Sequence, residues 1–286
     1  MRNLDSNTIT DEVLRRIAQT PDHRLHQLLV ALVKHLHAFA RDVDLSEDEW
    51  VQGIQFLTRI GHKTDDLRQE FVLLSDVLGL SQLVVSHNHR RESGATEQTV
   101  FGPFHVADVP LRPDNYDLSE GMDGIRLEVE TRVEKADGTA IEGALVEVWH
   151  ADPLGGYDTQ KPGWSNEDVL HRGNFRSGPD GRLRFRTTMP SSYPIPMDGP
   201  VGELMRATNR SPMRPAHLHF RVEHPGFETL VTHVFDADDA YLDDDAVFGV
   251  LDSTVHRFER ADDADGNVRL AHRLVLTPLC TPAVAP

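Results

Sequence analysis

The apolar residues of this chain recur with two different periods, and the change of period near residue 95 constrains the fold more than any other feature. Before that point the steps are three and four residues, the spacing of one face of an amphipathic helix. The stretch from Asp22 to Arg41 shows this spacing best, through Leu25, Leu28, Leu29, Leu32, Val33, Leu36 and Phe39.

Three further helices are predicted in the same region. A short leading helix is expected over residues 9–18. Ser46 and Glu49 have the spacing of a capping box, which begins a helix. The buried face of that helix is predicted to carry Trp50, Ile54 and Leu57. The last helix covers residues 64–79, with Gly79 as its C-cap and an apolar face of Leu67, Phe71, Leu74 and Leu78.

After the polar, aperiodic stretch 87–98 the period becomes two, which is typical of a strand with one buried face. Alternate residues from Leu127 to Val133 are Leu, Val, Thr and Val, and Asp137-Gly138 supplies a turn. Pro and Gly separate the further strand candidates, which are residues 144–150, 183–187, 216–222 and 229–236. We therefore predict a mixed α and β fold, with a helical domain over residues 1–95 and an antiparallel β-sandwich over residues 96–286.

Composition and charge exclude several function classes. The formal net charge of -17 opposes binding to phosphates, so no nucleic-acid partner is expected. No apolar stretch approaches the roughly 20 residues that span a bilayer, and the first residues lack the apolar core of a secretory signal. We expect a cytoplasmic protein without a membrane partner. Cys280 is the only cysteine, which rules out an intrachain disulfide and a Cys-based zinc site.

The strongest local signal for chemistry is the segment Arg214-Pro-Ala-His-Leu-His219. Residues two apart on a strand point to one face, so its two imidazoles can bind one metal ion. The spacing alone is weak evidence among 16 histidines, since His35/His37 and His87/His89 share it. The former pair lies on a predicted helix, where residues two apart do not face each other, and the latter lies in a polar loop.

Two of the four tyrosines occupy unusual loop settings. Tyr157 ends the segment Asp152-Pro-Leu-Gly-Gly-Tyr, where two glycines allow a tight bend directly after a strand. Tyr193 precedes Pro194, which holds the tyrosine extended. A tyrosine in such a setting usually serves packing or a corner hydrogen bond, so these residues alone leave a metal role open.

Four segments together resemble the intradiol ring-cleaving dioxygenases: GPFH, VEVWHADPLGGYD, RGNFRSGPDGRLRFRTTMPSSYPIP and RPAHLHFRVEHPGFETLVTHVFDADDAYLDDDAVFGV. They occur in the family's order, and the likeness extends over the helical region. Within the family the pattern is most similar to hydroxyquinol 1,2-dioxygenases, and next to catechol 1,2-dioxygenases. The resemblance implies intradiol cleavage of hydroxyquinol (1,2,4-trihydroxybenzene) by dioxygen to 3-hydroxy-cis,cis-muconate (maleylacetate) in aromatic catabolism. Catechol or a chlorocatechol is the alternative substrate.

The resemblance also implies one iron(III) ion per subunit, held in the sandwich by Tyr157, Tyr193, His217 and His219. Two phenolates suit a trivalent iron, and the metal must cause their deprotonation, since free tyrosine has a pKa of about 10. By resemblance, Tyr193 leaves the metal when the diol binds and takes a substrate proton, and Arg214 stabilises negative charge on the ring. His233 stands where many relatives carry a glutamine, and its role stays open.

By the same resemblance, the substrate ring packs between the start of the sandwich and the last N-terminal helix. The implied walls are Leu73, Asp76, Val100, Phe101, Gly102, Pro103, Phe104, Ile195 and Pro196. Leu73 and Asp76 are three apart on a helix and can face one cleft. The pattern leaves two interpretations of Asp76 open. In the first, the Asp76 carboxylate accepts a hydrogen bond from a third ring hydroxyl, which catechol lacks. In the second, Asp76 lies on the solvent face of its helix.

Two rival functions remain on the residues alone. His150 and Asp152, with a distant histidine, match the two-histidine, one-carboxylate triad of iron(II) oxygenases, which lacks the red colour of iron(III)-phenolate proteins. A sandwich that binds an aromatic or lipid ligand without catalysis would consume no oxygen. Finally, the resemblance implies a homodimer through the apolar helical faces, between which a phospholipid can lie.

Overall fold

The computed structural model describes residues 3–65, 68–89, 94–165, 168–260 and 266–279, and the chain forms two compact units, residues 1–59 and 60–286. The helices are α1 (Ile9–Ile17), α2 (His23–Asp42), α3 (Glu47–Lys63), α4 (Glu70–Val77), α5 (Leu80–Asn88) and α6 (Pro200–Ala207). The strands are β1 (Tyr116–Asp117), β2 (Arg126–Glu134), β3 (Leu145–His150), β4 (Arg172–Arg176), β5 (Arg182–Thr188), β6 (Tyr193–Pro194), β7 (Met213–Arg214), β8 (His217–Glu223), β9 (Leu230–Asp236), β10 (Val255–His256), β11 (Glu259–Arg260) and β12 (Val268–Val275).

The first three predicted helices are present as α1, α2 and α3. The capping box of α3 forms as predicted, because Ser46 N donates to Glu49 Oε2 at 2.9 Å and Glu49 N donates to Ser46 Oγ at 3.3 Å. The predicted burial of Trp50, Ile54 and Leu57 is wrong for the isolated chain, where they are 58%, 50% and 45% exposed. Periodicity identifies the apolar face of a helix but not what covers it.

The predicted helix over residues 64–79 is shorter than expected, since α4 begins at Glu70. Leu67 lies outside the described residues. Gly79, at φ +73°, separates α4 from α5, a helix that the sequence analysis did not predict. No single described helix is long and apolar enough to cross a bilayer; α4 and α5 meet those criteria only as a pair, bent by 78°. Both helices belong to the second compact unit, and the predicted domain boundary at residue 95 stays a prediction.

The predicted β-sandwich is present as two five-stranded sheets, ordered β1-β5-β2-β12-β11 and β10-β9-β8-β3-β4. Residues Leu127, Val129, Thr131 and Val133 are all buried, as their alternation predicts. The pairing is not wholly antiparallel, because β12 lies parallel to β2. A parallel pair needs a long crossover connection, and here everything from β3 to β11 lies between the two strands.

The site depends on β8, which lies at the centre of the second sheet between β3 and β9. The register sets His219 opposite Trp149 on β3 and opposite His233 on β9. The small ladder of β6 and β7 sets Tyr193 opposite Arg214. Backbone hydrogen bonding between the strands therefore brings residues from distant parts of the chain together.

His272 on β12 predicts an acid dependence of stability. Burial lowers its pKa from 6.5 to about 3, and its Nε2 hydrogen-bonds the Thr131 hydroxyl at 2.8 Å, so the folded protein holds the ring neutral. The unfolded chain binds a proton on His272 at a higher pH than the folded protein does. The contribution of neutral His272 to the free energy of unfolding is therefore complete above pH 6.5 and is lost as pH falls towards 3. The slope from this one group is at most about 1.4 kcal/mol per pH unit.

The variant His272→Gln, which keeps a hydrogen-bond acceptor for Thr131, should therefore show a flatter dependence of unfolding free energy on pH. Urea unfolding over a pH series below neutrality measures it. His23→Gln, at the exposed start of α2, serves as the control and should keep the wild-type slope. An unchanged slope in His272→Gln would contradict the assignment.

Candidate metal centre

Two imidazoles on β8 form the base of the site. His217 and His219 are each 1% exposed and point to the same face of the strand, as their spacing predicts. Their Nε2 atoms are 3.1 Å apart. The ring of Trp149 stacks on that of His219, with centroids 4.7 Å apart and planes 8° from parallel, which fixes its orientation.

The protonation of these imidazoles favours metal binding. His217 Nδ1 lies 2.6 Å from the carbonyl oxygen of Pro215 and donates to it, which leaves a lone pair on Nε2. Burial, reinforced by neighbouring positive or imidazole groups, holds the pKa of both rings well below the usual value. His217 Nε2 therefore offers a lone pair within 3.1 Å of the second ring, and a cation between the two imidazoles would be stabilised by it.

Tyr157 reaches the same point from the turn after β3. The carboxylate of Asp152 accepts the N–H groups of Leu154 and Gly156, each at 2.9 Å, and closes the turn. Gly155 has φ +85°, and a Cβ there would lie 2.8 Å from Cβ of Tyr193. The predicted tight bend is thus present, and Gly155 allows the two tyrosine segments to pack against each other.

The two phenol groups complete a four-donor cluster. Tyr157 Oη lies 3.2 Å from Tyr193 Oη and 3.1 Å from His219 Nε2. Burial, and then the adjacent Tyr193, raises the pKa of Tyr157 well above the ordinary value. Loss of that proton at neutral pH therefore requires a cation at the site. Two phenol oxygens and two imidazole nitrogens are a donor set that fits trivalent iron.

His233 is a third imidazole beside this cluster, and its ring centroid is 4.3 Å from that of His219. His217, His219 and His233 can offer ligand atoms within 4.8 Å of one another. His233 Nδ1 makes a short hydrogen bond with the Thr99 hydroxyl, while its Nε2 is buried without a hydrogen-bond partner among the described residues. The sequence left its role open, and the structure places it against the predicted ligands.

Arg214 lies over the cluster, and its guanidinium pairs with the carboxylate of Asp245, a residue that was not predicted to belong to the site. Arg214 Nε donates to Asp245 Oδ1 at 3.1 Å, and both side chains are nearly fully buried. Asp245 also accepts the N–H of Gly249 at 2.8 Å. Although burial opposes it, Asp245 and the phenol groups raise the pKa of Arg214. Nη2 of this guanidinium has no hydrogen-bond partner in the described part of the chain, so it can donate to a bound molecule.

A cavity adjoins the cluster, and its wall includes Tyr193, Arg214 and eight of the nine predicted pocket residues. These eight are Leu73, Asp76, Val100, Gly102, Pro103, Phe104, Ile195 and Pro196. Phe101 does not line it. Phe101 is 40% exposed, and its ring packs on that of His105, with ring centroids 4.7 Å apart. Gly102 approaches the site closely, since a Cβ there would lie 2.9 Å from Cε1 of His219.

The geometry disfavours the rival iron(II) triad. His150 Nδ1 bonds the carbonyl of Ala151 at 2.7 Å and its Nε2 bonds the Thr187 hydroxyl at 2.8 Å, so both ring nitrogens are occupied. Asp152 is used in the turn before Tyr157. Among the described residues, the group able to hold a metal through His, Cys, Asp or Glu is the histidine cluster on β8 and β9.

Comparison with known proteins identifies the family of the chain. Residues 22–96 match the family model described as "Catechol dioxygenase N terminus", and residues 100–278 match the model described as "Dioxygenase". The chain is 51% identical to 6-chlorohydroxyquinol 1,2-dioxygenase of Cupriavidus pinatubonensis, over 97% of this chain and 99% of that protein. It is 42% identical to Intradiol ring-cleavage dioxygenase hqdA of Aspergillus niger, over 89% of this chain and 77% of that protein.

A solved structure leads to the same conclusion. Hydroxyquinol 1,2-dioxygenase of Pseudomonas putida superposes with a TM-score of 0.89 at 42% sequence identity, covering 96% of this chain and 98% of that one. The two family models together cover most of the sequence, including the segment that carries the four-donor cluster. The chain therefore belongs to the intradiol ring-cleavage dioxygenases.

Proposed function

We propose that the protein uses dioxygen to cleave hydroxyquinol between its two adjacent hydroxyl-bearing carbons, giving 3-hydroxy-cis,cis-muconate and its keto form, maleylacetate. Both atoms of dioxygen enter the product, one on each carbon of the broken bond. The observation that carries the proposal is the convergence of Tyr157, Tyr193, His217 and His219 beside a cavity that contains a buried carboxyl group. The relatives named for hydroxyquinol substrates support the choice of ring.

In this proposal the four side chains hold one iron(III) ion per subunit. When bound, the ion lowers the pKa of the phenols and of a chelated diol and draws electron density from the ring. Tyr193 lies both in the cluster and on the cavity wall, so it can receive a proton from an arriving diol. The free Nη2 of Arg214 donates to negative charge that develops on the substrate.

Metal retention tests the proposed ligands. Tyr157→Phe removes an anionic oxygen donor and His217→Ala removes a nitrogen donor, so each variant should be purified with little or no iron. Elemental analysis and the red absorption of iron(III)-phenolate measure the loss. Tyr116→Phe, on β1 of the other sheet, is the control and should keep the metal. Full iron occupancy in Tyr157→Phe or in His217→Ala would refute that residue's role as a ligand.

Asp76 is proposed to select the third hydroxyl of the substrate. It lies on α4, is 7% exposed and lines the cavity, so it does not occupy the solvent face of its helix. Burial raises its pKa, while the Ser81 hydroxyl and Arg214 oppose that rise. A carboxyl group in an otherwise apolar wall favours a substrate that hydrogen-bonds it over one that leaves it unpaired.

Asp76→Ala should therefore lower kcat/KM for hydroxyquinol by about 10- to 100-fold, the value of a hydrogen bond to a charged group. The value for catechol should change much less, because catechol has no hydroxyl at that position. Oxygen uptake with each diol measures both values. Asp48→Ala, which removes an exposed carboxylate on α3 outside the cavity wall, is the control. An equal loss on both substrates would contradict this role for Asp76.

A chlorinated hydroxyquinol is the second candidate substrate. The relative at 51% identity is named for 6-chlorohydroxyquinol, whereas the similar catechol 1,2-dioxygenase of Candida albicans is 35% identical. Leu73, Val100 and Ile195 give the cavity apolar walls that can accommodate a ring chlorine. Comparing kcat/KM for hydroxyquinol, 6-chlorohydroxyquinol, catechol and a chlorocatechol on iron-analysed protein ranks these substrates.

We also propose that two chains associate through α2. Its apolar residues form one row along the helix and are each about half exposed in the isolated chain, namely Leu25, Leu28, Leu32, Leu36 and Phe39. Exposed apolar rows of this kind mark association surfaces, and the family resemblance adds that a phospholipid can lie between the two copies. Mass spectrometry of an organic extract tests for the lipid.

Leu32→Asp places a charge in the middle of that row and should convert a dimer to a monomer, as measured by analytical ultracentrifugation. Lys34→Asp adds the same side chain two residues away, on the opposite face of α2, and should leave the mass unchanged. A Leu32→Asp protein that is still dimeric would contradict the proposed interface.

A further inference from the structure

A buried ion pair lies directly behind Tyr157, outside the four-donor cluster. Arg172 on β4 and Asp158 are 2% and 1% exposed, respectively. Arg172 Nε lies 2.8 Å from Oδ2 and 3.0 Å from Oδ1 of Asp158, and Arg172 Nη2 contacts the same carboxylate. Asp158 also accepts the backbone N–H of Leu170 at 3.1 Å. The backbone that follows the tyrosine is therefore anchored to the sheet.

The same guanidinium also holds the group that covers the tyrosine ring. Arg172 Nη1 donates to the backbone oxygen of Phe104 at 2.8 Å. The ring of Phe104 stacks on that of Tyr157, with centroids 4.3 Å apart and planes at 21°. Phe104 also lines the cavity. One arginine thus connects the residue next to Tyr157, the ring packed on Tyr157 and the wall of the cavity.

We propose that Arg172 and Asp158 are positioning residues. Their ion pair fixes the position of the Tyr157 phenol and also that of Phe104 in the cavity wall. Metal retention and substrate affinity therefore both depend on this one ion pair. This inference rests on the proposed metal site. The planar guanidinium is required, because a lysine ammonium cannot bond the carboxylate in a bidentate manner and still reach the Phe104 carbonyl. Stability alone is a weak reason for such a pair, since apolar residues often replace buried ion pairs without loss.

Arg172→Lys tests the proposal, because it keeps the positive charge but loses the fixed geometry. The expected results are iron affinity lowered about 10- to 100-fold, as for other residues that orient a metal ligand, and a shifted phenolate-to-iron absorption band. The KM for hydroxyquinol should also rise. Arg126→Lys is the matched control, since Arg126 pairs with Asp117 on the other sheet. It should leave the band, the iron affinity and KM at their wild-type values.

Phe104→Leu is the second variant, which removes the stacked ring and leaves the ion pair intact. It should also shift the band and weaken iron binding. If Arg172→Lys lowers only the melting temperature, with band, iron affinity and KM unchanged, the pair merely supports the fold and the proposal is overturned. If Arg172→Lys does not fold, wild-type iron affinity and band in Phe104→Leu overturn it. Wild-type protein with full iron but no phenolate band would instead refute the proposed metal site.

Discussion

Burial of the four proposed metal ligands in one small volume is the constraint on which the site depends. Tyr157, Tyr193, His217 and His219 are 1–6% exposed, and their donor atoms lie about 3 Å apart. Burial lowers the pKa of both imidazoles and raises the pKa of the Tyr157 phenol, so these three groups are neutral in the protein alone. In the proposed function, iron(III) held by these groups would supply the positive charge that two phenolates need. Formation of the phenolates would then depend on the bound ion.

The positive side chains near the cluster are each matched to a carboxylate. Arg214 is paired with Asp245, and Arg172 is paired with Asp158. Without these partners, two buried guanidinium groups would oppose the binding of a trivalent cation. With them, the arginines can orient ligands and substrate at little cost to metal affinity. Arg214 lines the cavity, and its Nη2 has no hydrogen-bond partner among the described residues, so its pairing with Asp245 leaves it able to donate.

Local features of the sequence were predicted well, because their causes are local. The period of three and four residues gave α1, α2 and α3, and the period of two gave β2 and β8 with their buried faces. Contacts between distant segments were not predictable in the same way. Asp245 is the last of three consecutive aspartates, and nothing in that run indicates which one pairs with Arg214. The parallel pairing of β12 with β2 also depends on the whole of the intervening chain.

The cluster and the substrate wall come from different kinds of structure within the second compact unit. The proposed ligands lie on strands and in the turn after β3, where strand register and Gly155 position them. Asp76 and Leu73 come from α4, whose helical spacing lets single side chains vary without disturbing the sheets. A substitution of Asp76 or Leu73 would change the cavity wall and leave the four-donor cluster in place. Relatives named for hydroxyquinol, chlorohydroxyquinol and catechol substrates belong to one family, and in the proposed function the cavity wall, not the donor set, distinguishes these rings.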